Sequence, residues 1–499
     1  MAGAANTTRR GAPWLAFLAI LLTAFATRAV AFGNPVANID DQFYLLVGHE
    51  WWRGQIPYLD IWDRKPPGLF VLYALLAKAG GGSILFVQIV AALFAAGTAW
   101  IIRAIALRFA SPSAALFAGL SYLFMMPLLG GQTGQSPVFY NLFMAAAALM
   151  LFRSADDPAP TSIRRGALWA MLLCGLSMAI KQVAFVEGAF FGLAFLFLLR
   201  QAGQSWASLG ATAAMMLAIA LAPTVIGILS FALAGPNAVQ TVVYANFVSI
   251  FLKAPTGMEG KLVGLALFIV HALPLLLFAF LGHRKLRLGQ PDGLARKLLM
   301  GWLGAAVGGW VVVPNFFDHY ALPLLVPLAV LAAPFFDRAL GHLYFAALAF
   351  ACLTQGIILD WPSNRDARLW FTRIAATSDA ARRGGCLFLA DGPTALYQAV
   401  PSCRLTRFLF PYHLVLQTEA NAVGINTMAE LRRVLARSPA VVLTQSTERQ
   451  KHSSAVNALL YGTLRQYYRP IFIVPADAPP TVATIRVWQR RDIARPEQR

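Results

Sequence analysis

The sequence predicts a polytopic α-helical membrane protein, about eleven transmembrane helices followed by a small C-terminal α/β domain, on three observations. Hydrophobic residues fill 58% of 499 positions and the mean hydropathy is +0.61, beyond what an ordinary soluble domain carries. Apolar runs of membrane-spanning length recur as far as Leu359, after which charged and turn residues return at globular frequency. Short basic loops separate many of the runs.

Windows of roughly 20 residues place spans near 13 to 32, 84 to 107, 112 to 130, 137 to 152, 167 to 180, 183 to 199, 207 to 234, 261 to 281, 298 to 313, 319 to 336 and 340 to 359. Arg9 and Arg10, Arg103 and Arg108, Arg153 with Arg164 and Arg165, Arg200, the run from His283 to Arg287 with Arg296 and Lys297, and Arg338 all fall on one side if the N-terminus is cytoplasmic. The odd count then puts the tail and the loops 33–83, 131–136, 235–260 and 314–318 on the other side. Residues 1–359 are read as a membrane domain whose first external loop is 33–83, and 360–499 as an external α/β domain. The first span follows Arg9 and Arg10 but is not followed by a small-residue cleavage site and a soluble domain, so it is read as a retained helix. Much of the net charge of +19 sits in these short loops and follows the positive-inside bias, and no nucleic-acid partner is expected.

In the tail, Cys386–Ala390, Ala440–Thr444, Ile471–Val474 and Thr484–Trp488 read as strands. A short helix through Val400 and helices over Ala429–Arg437 and Ala455–Tyr467 alternate with them, which suggests a small α/β domain. It carries no convincing catalytic cluster and is read as a cover or an acceptor-recognition module. Cys386 and Cys403 lie in what topology makes an oxidising compartment and are expected to pair; Cys174 and Cys352 read as core thiols. No Cys or His cluster has zinc-ligand spacing, no cofactor is called for, and a divalent metal is compatible with the acids without being indicated.

The first external loop concentrates polar chemistry in a chain that is only 13% charged. Asp40, Asp41, Glu50, Asp60, Asp63, Arg64 and Lys65 fall together there, at a membrane edge where ionisable groups are costly. A carboxylate can take a proton from an attacking hydroxyl, and a cation can hold a leaving phosphate. Phe43–Trp52 is amphipathic, too short to span, and is expected to lie along the membrane surface, as is Gly68–Lys78. Asp41 reads either as a cap of the first of these helices or as a partner of Asp40. Pro57, Pro66 and Pro67 stiffen the turn before Lys65, which either contacts phosphate or snorkels to headgroups.

In order, Asp40-Asp41, Gly54-Gln-Ile-Pro-Tyr-Leu-Asp60 and Lys65-Pro66-Pro67 resemble the first external loop of the GT-C-fold membrane glycosyltransferases, especially the bacterial relatives of protein O-mannosyltransferases and of the lipid A aminoarabinose transferase. That family has Asp-Glu where this chain has Asp40-Asp41. The likeness continues through Lys181-Gln182 and through His319-Tyr320 to Pro327. It implies a polyprenyl-phosphate-linked sugar as donor, the first acid at the catalytic centre and the lysine near the lipid phosphate. Carried over, those roles fall to Asp40 and Lys65. The candidate site as a whole has Asp40 and Asp41 as catalytic groups, and Tyr58, Asp63, Arg64, Lys65, Lys181, Gln182, His319 and Tyr320 against the phosphate or sugar. The resemblance also implies a bacterial inner membrane with a periplasmic tail, membrane lipids as surroundings, and a lipid, glycan or protein as acceptor.

Other residues are less specific. Lys181 sits at the external end of a hairpin, where either phosphate or snorkelling explains it. Gln182 offers both donor and acceptor. Asp318, His319 and Tyr320 begin a span after Pro314, Asn315, Phe316 and Phe317; His319 either meets phosphate or is satisfied locally. Tyr244, Asn246 and Lys253 lie in an external segment long enough to cover a site. The turn from Gly130 to Pro137 lacks the lysine and context of a P-loop. Glu187, inside a span, either pairs with a cation or is protonated. The expected activity is inverting transfer of the sugar to a hydroxyl or amine; the rival reading, a transporter or flippase for the same lipid, predicts related halves with broken helices, which the sequence does not display.

Overall fold

The computed structural model describes residues 13–254, 257–289, 293–312, 316–383, 385–445 and 453–494. Arg9, Arg10, Pro314 and Asn315 lie outside the described residues. Each of the eleven predicted spans contains a helix. Among the described residues, seven helices are long and apolar enough to cross a membrane. Helices Pro13–Ala26, Pro112–Leu128 and Gly341–Leu353 are shorter, and Leu294–Val312 opens on the charges of Arg296 and Lys297. Eleven crossings is therefore a count of helices, and length with composition supports seven of them directly.

Two short helices, Ile39–Trp51 and Pro67–Ala79, stand between the first and second spans. They pack closely because Gly48 has no side chain: a Cβ there would meet the Tyr73 carbonyl carbon at 2.5 Å. The first does not lie on a lipid surface as expected. Asp41 to Gly48 and Glu50 are all buried, with Phe43 edge-on to Phe410 of the tail at 5.2 Å between ring centroids. Tertiary cover overrides its interfacial composition.

The tail begins with helix Trp361–Thr377 and is built on four strands, β1 Leu387–Leu389, β2 Val441–Thr444, β3 Tyr468–Ile473 and β4 Arg486–Arg490, in the order β1-β2-β4-β3. β1 runs parallel to β2 with Leu387 opposite Val441. β4 is antiparallel to both its neighbours, with a bulge in β3 between Pro470 and Phe472. Helices Thr427–Ala436 and Ser454–Tyr467 complete the α/β unit. Its core takes in Val36 of the 33–83 loop, packed with Phe371, Ile374, Leu389 and Val487. Thr394 Oγ1 donates to the Ile39 carbonyl at 3.3 Å, and Asn34 Nδ2 donates to Asn364 Oδ1 at 2.8 Å. The tail thus grips the segment that leads into the acid pair.

Cys386 and Cys403 are disulfide-bonded, while Cys174 and Cys352 are buried and free. The bond closes the loop that runs from β1 to the strip 404–408 facing the 33–83 loop. Native protein should therefore show no thiol at positions 386 and 403 to an alkylating reagent until it is reduced; labelling of either cysteine without reductant would contradict the pairing.

Candidate active site

Helix Ile39–Trp51 is capped by Asn38, whose Oδ1 accepts from the N–H groups of Asp40 at 2.8 Å and Asp41 at 3.3 Å. Neither aspartate caps the helix, so the cap alternative for Asp41 is excluded. Successive helical residues point about 100° apart, and the two acids meet different surroundings. Asp41 is 1% exposed; its Oδ2 accepts from Gly134 N–H at 3.1 Å. The Thr133 hydroxyl lies beside it, and that oxygen and Asp41 Oδ1 are both buried without a hydrogen bond of good geometry. Asp40 is half-buried and its Oδ2 accepts from Gln135 Nε2 at 3.0 Å.

Electrostatics separates the pair further. Burial pushes Asp41 up to about 7, against the pull of Thr133 and Gly134 and with a push from Asp40. Burial would raise Asp40 too, but Lys65 foremost, then His319, the Gln135 hydrogen bond and Lys181, outweigh it and hold that carboxyl below its ordinary value. Two neighbouring acids so divided suit different tasks. Asp40 is ionised and reachable, and Asp41 is sealed.

Asp41 should leave a pH signature. A carboxyl raised in the folded state contributes stability below the ordinary carboxylate range, and that contribution is lost as pH rises through about 7. Asp41→Asn cannot ionise. Its apparent Tm relative to the wild type is therefore expected to improve between about pH 5 and about pH 8, and its turnover to fall less than that of the Asp40 variant. A Tm difference that stays constant with pH would remove Asp41 as the titrating group.

The turn that supplies Gln135 and Gly134 is shaped by one glycine. Tyr73 Oη donates to the Gly134 carbonyl at 2.5 Å, and a Cβ on Gly134 would stand 2.4 Å from the Tyr73 hydroxyl oxygen. Gln135 was missed in the sequence; its only signal was a Gly-rich external turn, here used to carry hydrogen-bond donors to the acid pair.

The approach to Lys65 is held by its own side chains. Tyr58 is buried at φ +70, a strained setting for a tyrosine. Its N–H donates to the Ile61 carbonyl at 2.7 Å and its hydroxyl to the Lys65 carbonyl at 2.6 Å. Asp60 Oδ2 accepts from Ile56 N–H at 2.7 Å, and Asp63 Oδ1 accepts from Lys65 N–H at 2.9 Å. Tyr58 and Asp63 therefore brace the lysine's backbone. The Lys65 ammonium lies 5.3 Å from the centroid of the Tyr44 ring. Burial would lower it, but Asp40 and Asp63 outweigh burial and raise it, so it is charged and turned inward among acids. Snorkelling to lipid is not its arrangement.

Lys181 follows helix Pro160–Ile180 in extended conformation, with its ammonium 4.4 Å from the centroid of the Tyr320 ring. His319 meets Tyr320 edge-on at 4.5 Å, both on the short helix Asp318–Leu324. Lys65, Lys181, His319 and Tyr320 are all half-buried, as Asp40 is. Gln182 is engaged elsewhere: its Nε2 donates to the Asn246 carbonyl at 3.3 Å and to Asn246 Oδ1 at 3.2 Å. Glu187 is paired with an indole, Trp302 Nε1 donating to its Oε1 at 2.7 Å.

The tail closes the other side. Trp62 N–H donates to the Arg407 carbonyl at 2.9 Å, and the Trp62 ring meets His413 edge-on at 4.8 Å. His413 Nε2 stands 3.8 Å from Asp63 Oδ2. Glu419 binds Arg64 and Lys253. Neither His413 nor Glu419 was flagged in the sequence: His413 is a lone polar residue in an apolar stretch, Glu419 is one polar residue among Gln417, Thr418 and Asn421, and each becomes meaningful only across the interface. Outside this interface a cleft of about 440 Å³ opens between the turn bearing Gln55 and Asp60 and the tail residues Arg404, Thr406, Arg407 and Arg433.

This architecture has solved counterparts. ArnT from Cupriavidus metallidurans bound to undecaprenyl phosphate superposes with a TM-score of 0.64 at 13% identity, over 98% of this chain and 100% of that one. Its apo state gives 0.59 at 13%, over 95% and 98%. The Archaeoglobus fulgidus oligosaccharyltransferase tethered to an acceptor peptide gives 0.53 at 11%, over 94% of this chain and 73% of that chain. The chain has the GT-C fold. No family model matches the sequence, and no curated protein matches it.

Identity this low carries the fold alone, so the chemistry of this GT-C site rests on its own geometry. An ionised carboxylate stands near the charged Lys65, with Lys181 and His319 also close, at a half-open position, and Gln135 fixes one of its oxygens. Such a group can take a proton, and the Lys65 ammonium can receive an anionic leaving group. Among the described residues no three His, Cys, Asp or Glu side chains gather as a metal-ligand set.

Proposed function

We propose that this protein is an inverting glycosyltransferase that moves a sugar from a polyprenyl-phosphate-linked donor to an acceptor hydroxyl or amine at the external face of the membrane. The observation that carries the reading is the ionised, accessible Asp40 set among Lys65, Lys181 and His319. Asp40 takes the acceptor proton as the acceptor oxygen or nitrogen bonds to the anomeric carbon. The bond from that carbon to the phosphate oxygen breaks, and its electron pair leaves with the polyprenyl phosphate, whose growing charge Lys65 and Lys181 stabilise. Asp41 supports the turn at Gly134 and stays out of the proton transfer.

A GT-C counterpart that binds undecaprenyl phosphate supports a polyprenyl carrier for the donor. On this reading 1–359 is the transferase domain in a bacterial inner membrane, with a cytoplasmic N-terminus. Residues 360–499 are a periplasmic domain that completes the site, and the acceptor is a lipid, glycan or protein. The test is direct: purified protein incubated with defined polyprenyl-phosphate sugars should consume donor and release polyprenyl phosphate. Release that persists undiminished in Asp40→Asn, or movement of intact donor across vesicles without release, would reject the reading in favour of other chemistry or of transport.

A further inference from the structure

Glu419 stands on the tail in the short helix Gln417–Glu419 and is 2% exposed. Its carboxylate receives both terminal nitrogens of Arg64, Nη1 at 3.0 Å, and Lys253 Nζ at 2.8 Å. Arg64 Nε donates to Ser249 Oγ at 3.2 Å, and Ala254 N–H donates to the Thr418 carbonyl at 3.0 Å. One carboxylate therefore joins three stretches far apart in sequence: the first external loop, the segment around 249–254, and the tail. Burial would raise Glu419, but the hydrogen bonds and charge of Arg64, then Lys253, outweigh it and hold it at about 2, so the clasp stays charged across the physiological range.

The clasp changes what Arg64 does. Every nitrogen of its guanidinium has a partner in Glu419 or Ser249, so it serves as an anchor, and the bidentate fork fixes its orientation. The next residue is Lys65, whose ammonium, among the described residues, has no carboxylate within ion-pair distance and faces the Tyr44 ring. Its backbone is held at N–H by Asp63 and at the carbonyl by Tyr58, while the preceding side chain is held by the tail.

We propose that Glu419 is a positioning residue for the donor phosphate: by anchoring Arg64 it sets the direction of the Lys65 ammonium, and through it the tail controls affinity for a polyprenyl phosphate. This rests on the reading of Lys65 as the phosphate contact. Acting through Lys65 makes a distinctive demand, because the effect of removing Glu419 must vanish once Lys65 is gone.

The experiment is a four-way comparison of the full-length protein in lipid nanodiscs, with undecaprenyl phosphate as the probe and Kd as the readout. Glu419→Gln should weaken binding about tenfold beside Lys65 and less than about twofold in a Lys65→Ala background. Glu419→Asp keeps the charge one methylene shorter, should bind between the two, and supplies the comparison if the Gln variant does not fold. Glu430→Gln is the control: Glu430 pairs locally with Arg433 and Thr406 within the tail and should leave Kd unchanged. Equal weakening by Glu419→Gln in both backgrounds, no weakening at all, or the same loss from Glu430→Gln would overturn the proposal while leaving Lys65 in place. Unchanged binding in Lys65→Ala alone would remove the phosphate-contact reading, and this inference with it.

Discussion

Asp40→Asn is expected to leave a folded protein whose turnover is lower by about 10²–10⁴-fold. The amide is nearly isosteric, and its oxygen can still accept from Gln135 as Oδ2 does at 3.0 Å. What it loses is the ability to take a proton. It also removes a negative charge beside Lys65 and Lys181, so binding of an anionic donor should not weaken. The loss should then appear in kcat and leave donor Kd equal or tighter, a split that unfolding or general disruption of the site would not produce. Turnover within a few-fold of wild type would take Asp40 out of the chemistry.

Lys65→Ala carries the second large effect. Its ammonium is charged and set among Asp40 and Asp63, so a donor phosphate arriving there gains a charge-assisted contact of about 1.5–3 kcal/mol. Because the leaving phosphate gains charge as the glycosidic bond breaks, part of that loss should fall on kcat as well as on donor binding. Lys65→Arg should recover activity only in part, since a planar guanidinium does not fill the place of a compact ammonium against the Tyr44 ring. Donor affinity and turnover in Lys65→Gln equal to wild type would sink the assignment.

Much of this was legible in order along the chain. Spans read from hydropathy correspond to helices because a lipid environment demands long apolar segments with their backbone bonds satisfied internally. The tail strands at 387–389, 441–444 and 486–490 announced themselves by short β-branched and aromatic runs. The surface placement of helix Ile39–Trp51 misled, since amphipathic composition describes a face and not what covers it. Here the tail covers it, through Phe410 on Phe43.

The acid pair and the lysine were visible because their ordered spacing in one loop is a local property. Which acid is reachable was not visible, because Asp40 and Asp41 are adjacent, chemically identical, and separated only by burial and by the partners Gln135, Gly134 and Lys65. The sequence by itself determined the helical membrane architecture, the cysteines able to pair and the loop that concentrates charge, all of which follow from composition and short-range pattern. Only the tertiary structure decided that Asn38 caps the helix in place of Asp41, that Tyr58 and Asp63 brace Lys65, and that Glu419, 355 residues beyond Arg64, completes its environment. The physical reason is that desolvation and charge pairing depend on the distance in space between groups, and between Arg64 and Glu419 that distance is set by the docking of the tail on the first loop.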